Sequence, residues 1–228
     1  MVEDSVIELI EIDYSYQSAK IFDKLNFTLK KGDKVGLMGP NGAGKSTMLR
    51  LIMGLIKPDS GRLIVFGSER CREEDFLEVR KQTGFVFQDP DDQLFCSTVA
   101  EDIAFGPLNL GASQEEAEAV VLTNLQLFGL MELRDRAIYR LSGGEKRLAA
   151  LAGVMAMSPC VLLLDEPTAA LDQFNTKKLI RILNDIDLTC LIVSHDKDFL
   201  QSTCNCIYWL EHGLSVIWYK PSLMNSLA

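Results

Sequence analysis

Near the amino terminus apolar and polar positions alternate. Ile10, Ile12, Tyr14 and Tyr16 are separated by Glu11, Asp13 and Ser15, and Leu25, Phe27 and Leu29 by Asn26 and Thr28. A period of two puts one set of side chains on one face, so both runs predict half-buried antiparallel strands. Residues 34–38 predict a further strand, which feeds a glycine-rich turn. After that turn the period lengthens: Met48, Leu49, Ile52 and Leu55 share one face of a helix predicted over 46–55. A Pro-Asp-Ser-Gly turn at 58–61 precedes strands at 63–66 and 84–87.

The texture then changes. An acidic loop at 89–92 opens a stretch that reads as mostly helical through residue 157. Its clearest helix starts at Ser113 with Glu116 three residues on, buries Ala117, Val120, Val121, Leu125 and Phe128, and stops at Gly129. Beyond it, unbroken apolar runs at 161–164 and 188–193 flank a helical segment at 173–186, the pattern of a parallel sheet buried on both faces. Residues 207–210 and 214–218, joined at His212-Gly213, predict a closing hairpin. The chain thus reads as one α/β domain. A mainly parallel core with an antiparallel β subdomain occupies 1–88 and 158–228, and a helical subdomain is inserted at 89–157.

A length of 228 residues with 47% hydrophobic residues suffices for one such core. The formal net charge of -9 and the lack of a Lys/Arg-rich run argue against a nucleic-acid partner. Met1 leads straight into Val-Glu-Asp-Ser, so no leader is expected, and no apolar run approaches the ~20 residues of a membrane helix. A link to a membrane would therefore run through a partner. The six cysteines form no Cys-x-x-Cys pair and read as idle thiols of a reducing compartment.

Acidity does not forbid phosphate binding, because backbone N–H groups and one cation can build such a site. Gly39-Pro-Asn-Gly-Ala-Gly44-Lys45-Ser46-Thr47 follows a strand, precedes a helix and fits a phosphate loop. Asn41, Gly42, Ala43 and Gly44 would turn consecutive N–H groups onto one point. Lys45 supplies charge for β and γ phosphates, Ser46 an oxygen for Mg²⁺, and Thr47 a bond to the α-phosphate.

Asp165 and Glu166 end an apolar strand, which is unfavourable unless something cationic meets them. A Mg²⁺–ATP complex would do so, with Asp165 on the metal and Glu166 as general base for a water. Strand alternation would aim the two carboxylates to opposite sides. Leu141-Ser142-Gly143-Gly144-Glu145 opens another helix, with Ser142 and Glu145 as a capping box. Two glycines there leave N–H groups open to an anion. Either this is an ordinary cap, or it faces a nucleotide held by another subunit.

Together these motifs resemble the ATP-binding-cassette (ABC) ATPases, over nearly the whole chain. Residues 39–47 resemble the Walker A loop, 161–166 Walker B with its catalytic Glu, and 141–145, the most specific match, the family signature. The resemblance implies a RecA-like P-loop fold with ATP and Mg²⁺ bound. Tyr16 matches the aromatic that stacks on adenine, and Gln88 the loop glutamine that touches Mg²⁺ or water. Asp172 matches the loop that crosses the dimer interface, and His195 the switch histidine that contacts the γ-phosphate. It further implies a homodimer or a heterodimer with a related ATPase. A membrane subunit's coupling helix would dock near Gln88, on the cytoplasmic face of the membrane.

The run from Val86 to Phe95 and Val99-Ala-Glu-Asp-Ile-Ala-Phe-Gly106 resemble energy-coupling-factor ATPases, importers' motors for transition-metal ions or vitamins. Residues 142–148 and 195–199 are most similar to the cobalt/nickel members. Glu145 stands where many members carry Gln. The chain ends soon after Trp218, where several relatives extend, so dimerisation is expected to lean on ATP and the membrane partner. A non-transport ABC ATPase of DNA repair or the ribosome is the alternative. The former needs a long coiled-coil insertion and the latter usually two cassettes.

Overall fold

The computed structural model describes residues 4–211 and the backbone of 215–219. Strands β1 (Ser5–Tyr16) and β2 (Ala19–Lys30) form an antiparallel pair. They are joined through Gln17 and Ser18, whose φ of 45° and 71° match the right-handed twist of a two-residue hairpin turn. After β3 (Lys34–Met38) and α1 (Lys45–Ile52) come β4 (Ser60–Val65), β5 (Ser68–Glu69), α2 (Asp75–Gln82) and β6 (Thr83–Val86). Helices α3 (Val99–Asn109), α4 (Gln114–Leu127) and α5 (Gly143–Ala156) follow. The chain then returns to strand–helix alternation with β7 (Val161–Asp165), α6 (Gln173–Asp185), β8 (Thr189–Val193), α7 (Lys197–Thr203), β9 (Cys206–Glu211) and β10 (Ser215–Tyr219).

Two sheets result. One is antiparallel, in the order β2-β1-β4-β5; the other runs β10-β9-β3-β8-β7-β6 and is parallel except where β10 meets β9. The expected mixed α/β class with a parallel core and a separate antiparallel sheet is what the chain adopts. Strand β7 shows why its sequence is unbroken by polar residues. Leu162 and Leu164 join a core with α3, α4 and α5, while Val161 and Leu163 join a second core with α1 and the antiparallel sheet. Both faces are covered, so neither can be polar.

Helix α4 forms as its sequence predicts. Ser113 accepts from Glu116 N–H, Glu116 caps back, and Gly129 at φ 57° ends the helix with Leu130 N–H donating to Leu125 C=O at 2.7 Å. Helix α1 is shorter than predicted. Gly54 takes φ 64° and Leu55 N–H closes on Arg50 C=O at 2.9 Å, so the helix stops and Leu55 stays exposed rather than joining the buried face. The sequence pattern does not delimit helices α2, α3 and α7 individually, although α3 carries its own capping box at Thr98 and Glu101. The predicted turn at His212-Gly213 lies outside the described residues. Among the described residues no helix is long and apolar enough to cross a membrane.

Candidate functional site: a phosphate loop facing two carboxylates

Strand β3 lies between β8 and β9, and its carboxyl end opens onto the glycine-rich turn. Two glycines there are required by close approach. At Gly39, φ 151°, a Cβ would sit 2.2 Å from Leu210 C=O; at Gly44, φ 96°, it would sit 2.6 Å from the Phe22 ring. Gly44 is the N-cap of α1 and offers no side-chain cap, and the first turn carries no acid. The N-terminal N–H groups of α1 are therefore left for a ligand, and the helix dipole favours an anion. Lys45 is buried and its Nζ donates to Gly39 C=O at 2.8 Å and Pro40 C=O at 2.9 Å. Burial pulls its pKa down, and the nearby Glu166 and Asp165 oppose that.

Asp165 ends β7 at only 4% exposure. Burial raises its pKa, while a hydrogen bond from the Ser46 hydroxyl and the charges of Arg50, Lys45 and Arg147 hold it down. Glu166 leaves the strand at φ 48°, so a left-handed turn rather than strand alternation sets its direction. Its N–H donates to Val193 C=O at 2.9 Å, and its Oε2 accepts the His195 N–H at 3.3 Å. The other oxygen, Oε1, lies 3.5 Å from His195 Nε2. Asp165 Oδ1 and Glu166 Oε1 are buried without a hydrogen-bond partner among the described residues. The orphaned Asp165 oxygen beside the Ser46 hydroxyl makes hard-oxygen donors that fit a Mg²⁺ ion, and the orphaned Glu166 oxygen is left to accept a proton.

These groups line one cavity of about 650 Å³. It brings together Tyr16, Asn41, Gly42, Gly44, Lys45, Ser46, Thr47, Gln88, Asp165, Glu166 and His195, all singled out in the sequence. Tyr16 is 61% exposed at the end of β1, so it is a free aromatic face and not a core residue. Ala43 is buried beneath the loop.

Leu141, Ser142, Gly143, Gly144, Glu145 and Asp172 do not line this cavity. They gather elsewhere on the same subunit. Ser142 N–H donates to Glu145 Oε2 at 2.7 Å, Glu145 N–H donates to Ser142 Oγ at 3.3 Å, and Arg136 approaches Glu145 at 3.7 Å. A Cβ on Gly144 would meet Ala170 C=O at 3.2 Å, so this glycine also has a packing reason within its own chain. Asp172 caps α6 by accepting the Asn175 N–H at 2.7 Å.

The ABC transporter family model matches residues 22–169. The chain belongs to that family. The energy-coupling factor transporter ATP-binding protein of Methanocaldococcus jannaschii is 39% identical over 213 residues, 91% of this chain and 76% of its own. A solved structure of cbiO1 from Clostridium perfringens, part of the ABC transporter complex cbiONQ, is 32% identical, with a TM-score of 0.87 over 98% of this chain and 92% of that one. A dimeric ATP-binding cassette in a post-hydrolysis state with ADP and Pi is 27% identical, with a TM-score of 0.86 over 94% of this chain and 98% of that one. The chain is an ABC-type ATPase, of the kind that serves transporters.

Some residues around the nucleotide cleft of this ABC ATPase went unread in its sequence. Arg50 lines the cavity from α1, four residues beyond Ser46 and hence on the same helical face; that spacing was a usable signal. Ile21 and Ile56 complete the apolar end near Tyr16, and nothing separates them in sequence from core isoleucines. Arg147 acts on Asp165 and Glu166 only through its charge, out of a charged run that reads as a solvated helix face.

Proposed function

We propose that this ABC ATPase is the motor of an energy-coupling-factor importer, and that two such subunits close head to tail on two ATP molecules. The observation that carries the reading is the separation of the two glycine-bearing helix starts. One faces a cavity with a lysine and two carboxylates, and the other, Ser142–Gly144, lies outside that cavity, with the backbone N–H groups of Gly143 and Gly144 not used by its capping box. In this reading the phosphate that meets Ser142–Gly144 is held by a second subunit. The domain division, with 89–157 as a helical subdomain beside Gln88, gives a membrane subunit's coupling helix its seat. Attachment is then peripheral, on the cytoplasmic face, and the cargo is a cobalt or nickel ion or a vitamin.

In this reading Tyr16 stacks on adenine, and Asn41 to Thr47 with Lys45 hold the phosphates. Ser46, Asp165 and Gln88 would hold a Mg²⁺ ion, which neutralises charge on the β and γ phosphates. Glu166 takes a proton from water as its oxygen attacks the γ-phosphorus in line and the bond to the ADP oxygen breaks. His195, already on Glu166, orients that carboxylate and contacts the γ-phosphate. Ser142, Gly143 and Gly144 meet the γ-phosphate from the opposite subunit, Glu145 sits by the neighbouring ribose, and Leu141 anchors the helix start. Asp172 lies at the dimer seam. Loss of the shared phosphate lets the dimer open.

Glu166→Gln keeps the shape and removes the base. It is expected to bind ATP, lose turnover by about 100-fold or more, and trap an ATP-dependent dimer visible by light scattering. A monomer with full turnover would overturn the reading. Purified from its native membrane with ATP, the same variant is expected to bring along a polytopic membrane protein and a small substrate-capturing membrane subunit. Ribosomes or DNA factors instead would favour the non-transport alternative.

A further inference from the structure

The largest fully buried side chain among the described residues belongs to an arginine just past the signature at 141–145, to which no role has been given above. Arg147 is 2% exposed, on the second turn of α5. Its guanidinium crosses to the end of β6, where Nη1 donates to Phe87 C=O at 2.6 Å and Nη2 donates to Gln88 C=O. Both acceptors lie some sixty residues away in sequence, at the point where the chain leaves the sheet. A second strap runs beside the first. Gln93 Oε1 accepts the Phe87 N–H at 3.1 Å, and its Nε2 donates to Ala150 C=O one turn further along α5, again at 3.1 Å. On the surface, Lys146 pairs with Asp91 at 2.5 Å.

Burying an arginine is unfavourable unless its charge and donors are matched. Here Asp89, Asp165 and Glu166 face it electrostatically, which opposes the drop in pKa that burial causes. An apolar side chain of similar volume would fill this space without that demand. What an apolar residue could not do is bind two consecutive carbonyls and so fix the backbone that carries Gln88.

We infer that Arg147, assisted by Gln93, is a positioning residue that locks the Gln88 loop to the start of α5, so that Gln88 and the Ser142–Gly144 turn shift together. This rests on the proposed dimer. In it, the state of a subunit's own nucleotide, sensed at Gln88, sets how Ser142 to Gly144 are presented to the partner's nucleotide. The straps act between two sites of one chain, so they alter coupling and not the binding of a single ATP.

The test uses the full-length protein in the Glu166→Gln background. Arg147→Met is expected to weaken ATP-driven dimerisation by about tenfold or more while ATP affinity, read by calorimetry, stays within about threefold. In the otherwise unaltered enzyme the same change is expected to lower kcat by about tenfold with KM nearly constant. Arg147→Lys keeps the charge and its donors without the planar fork, and is expected to fall between the two. Should Arg147→Met fail to fold, the half-buried Gln93→Met carries the test, with dimerisation weakened by about threefold. Dimerisation and kcat unchanged in a folded variant, or ATP affinity falling in step with dimerisation, would overturn the inference. If the Glu166→Gln parent itself stays monomeric with ATP, the proposed function fails first. A dimerising parent with an equally dimerising Arg147→Met sinks the inference alone.

Discussion

The two glycine-bearing helix starts of this chain look alike on paper and are built differently. At α1 the N-cap is Gly44, with no side-chain cap, so the N–H groups remain open and only Lys45 and neighbouring dipoles organise them. At α5 the N-cap is Ser142, and Ser142 and Glu145 satisfy each other's backbone N–H groups in a closed capping box. The first start depends on its ligand to complete it. The second is complete as a helix end, and only the N–H groups of Gly143 and Gly144 are left to offer. In the proposed dimer, the anion site made within one subunit is open by construction, whereas the one used across the interface must also hold its helix while it waits.

The largest contrast is expected from removing one polar side chain from each. Lys45→Ala should lose about 2–3 kcal/mol of ATP binding, roughly a 30- to 150-fold rise in Kd. Ser142→Ala should leave the Kd of a single subunit within about threefold. Calorimetry on the isolated subunits separates the two. Equal losses would mean that both helix starts grip one nucleotide within a single chain, which would end the distinction.

Backbone changes sharpen it next. Gly44→Ala places a Cβ at φ 96° against the buried Phe22 ring, so folding stability should fall by about 2–4 kcal/mol. Gly144→Ala meets Ala170 C=O at 3.2 Å, but it also gains about 1 kcal/mol of helix propensity, so its net effect on folding should stay within about 1 kcal/mol. Denaturant midpoints measure both. A stable Gly44→Ala would mean the loop does not need its left-handed turn. For Ser142→Ala, loss of the cap alone should lower stability by about 1 kcal/mol.

How far the sequence foretold these features follows the range of the forces involved. The β7 strand, the α4 helix with both caps, and the phosphate loop carry patterns that can be read within a few residues, and each forms where its pattern places it. Helix α1 runs past its true end in a periodicity reading because Leu55 continues the apolar spacing; Gly54 stops it, pressed so close that a Cβ would lie 2.3 Å from Phe76. Helix α2 shows only Phe76 and Val79 as buried apolar residues, too few to mark a period. The direction of Glu166 follows from a left-handed residue that no alternation rule anticipates. Arg147 is the extreme case: its burial depends on carbonyls some sixty residues distant, and its charged neighbours Glu145 and Lys146 point a sequence reading toward solvent.

The smallest expected effect is a difference in pH response. In the folded chain, hydrogen bonds from the Ser142 backbone lead the causes that hold Glu145 below its ordinary 4.5. A carboxylate lowered on folding stabilises the fold above its unfolded pKa, and that contribution is lost as pH falls through the folded value. Lys45 behaves in the opposite sense. Burial lowers it from 10.5, so its charged form disfavours folding, and that penalty is relieved as pH rises from the lowered value toward 10.5. Denaturant midpoints for Glu145→Gln should therefore fall less steeply than those of the parent below about pH 4.5, and run parallel to them at alkaline pH. Lys45→Met should leave the acid limb unchanged and remove the gain in stability that deprotonation of Lys45 adds to the parent at alkaline pH. If both substitutions alter the same limb, the two helix starts share one electrostatic environment. The open site and the closed cap would then have to be treated as a single cluster within the subunit.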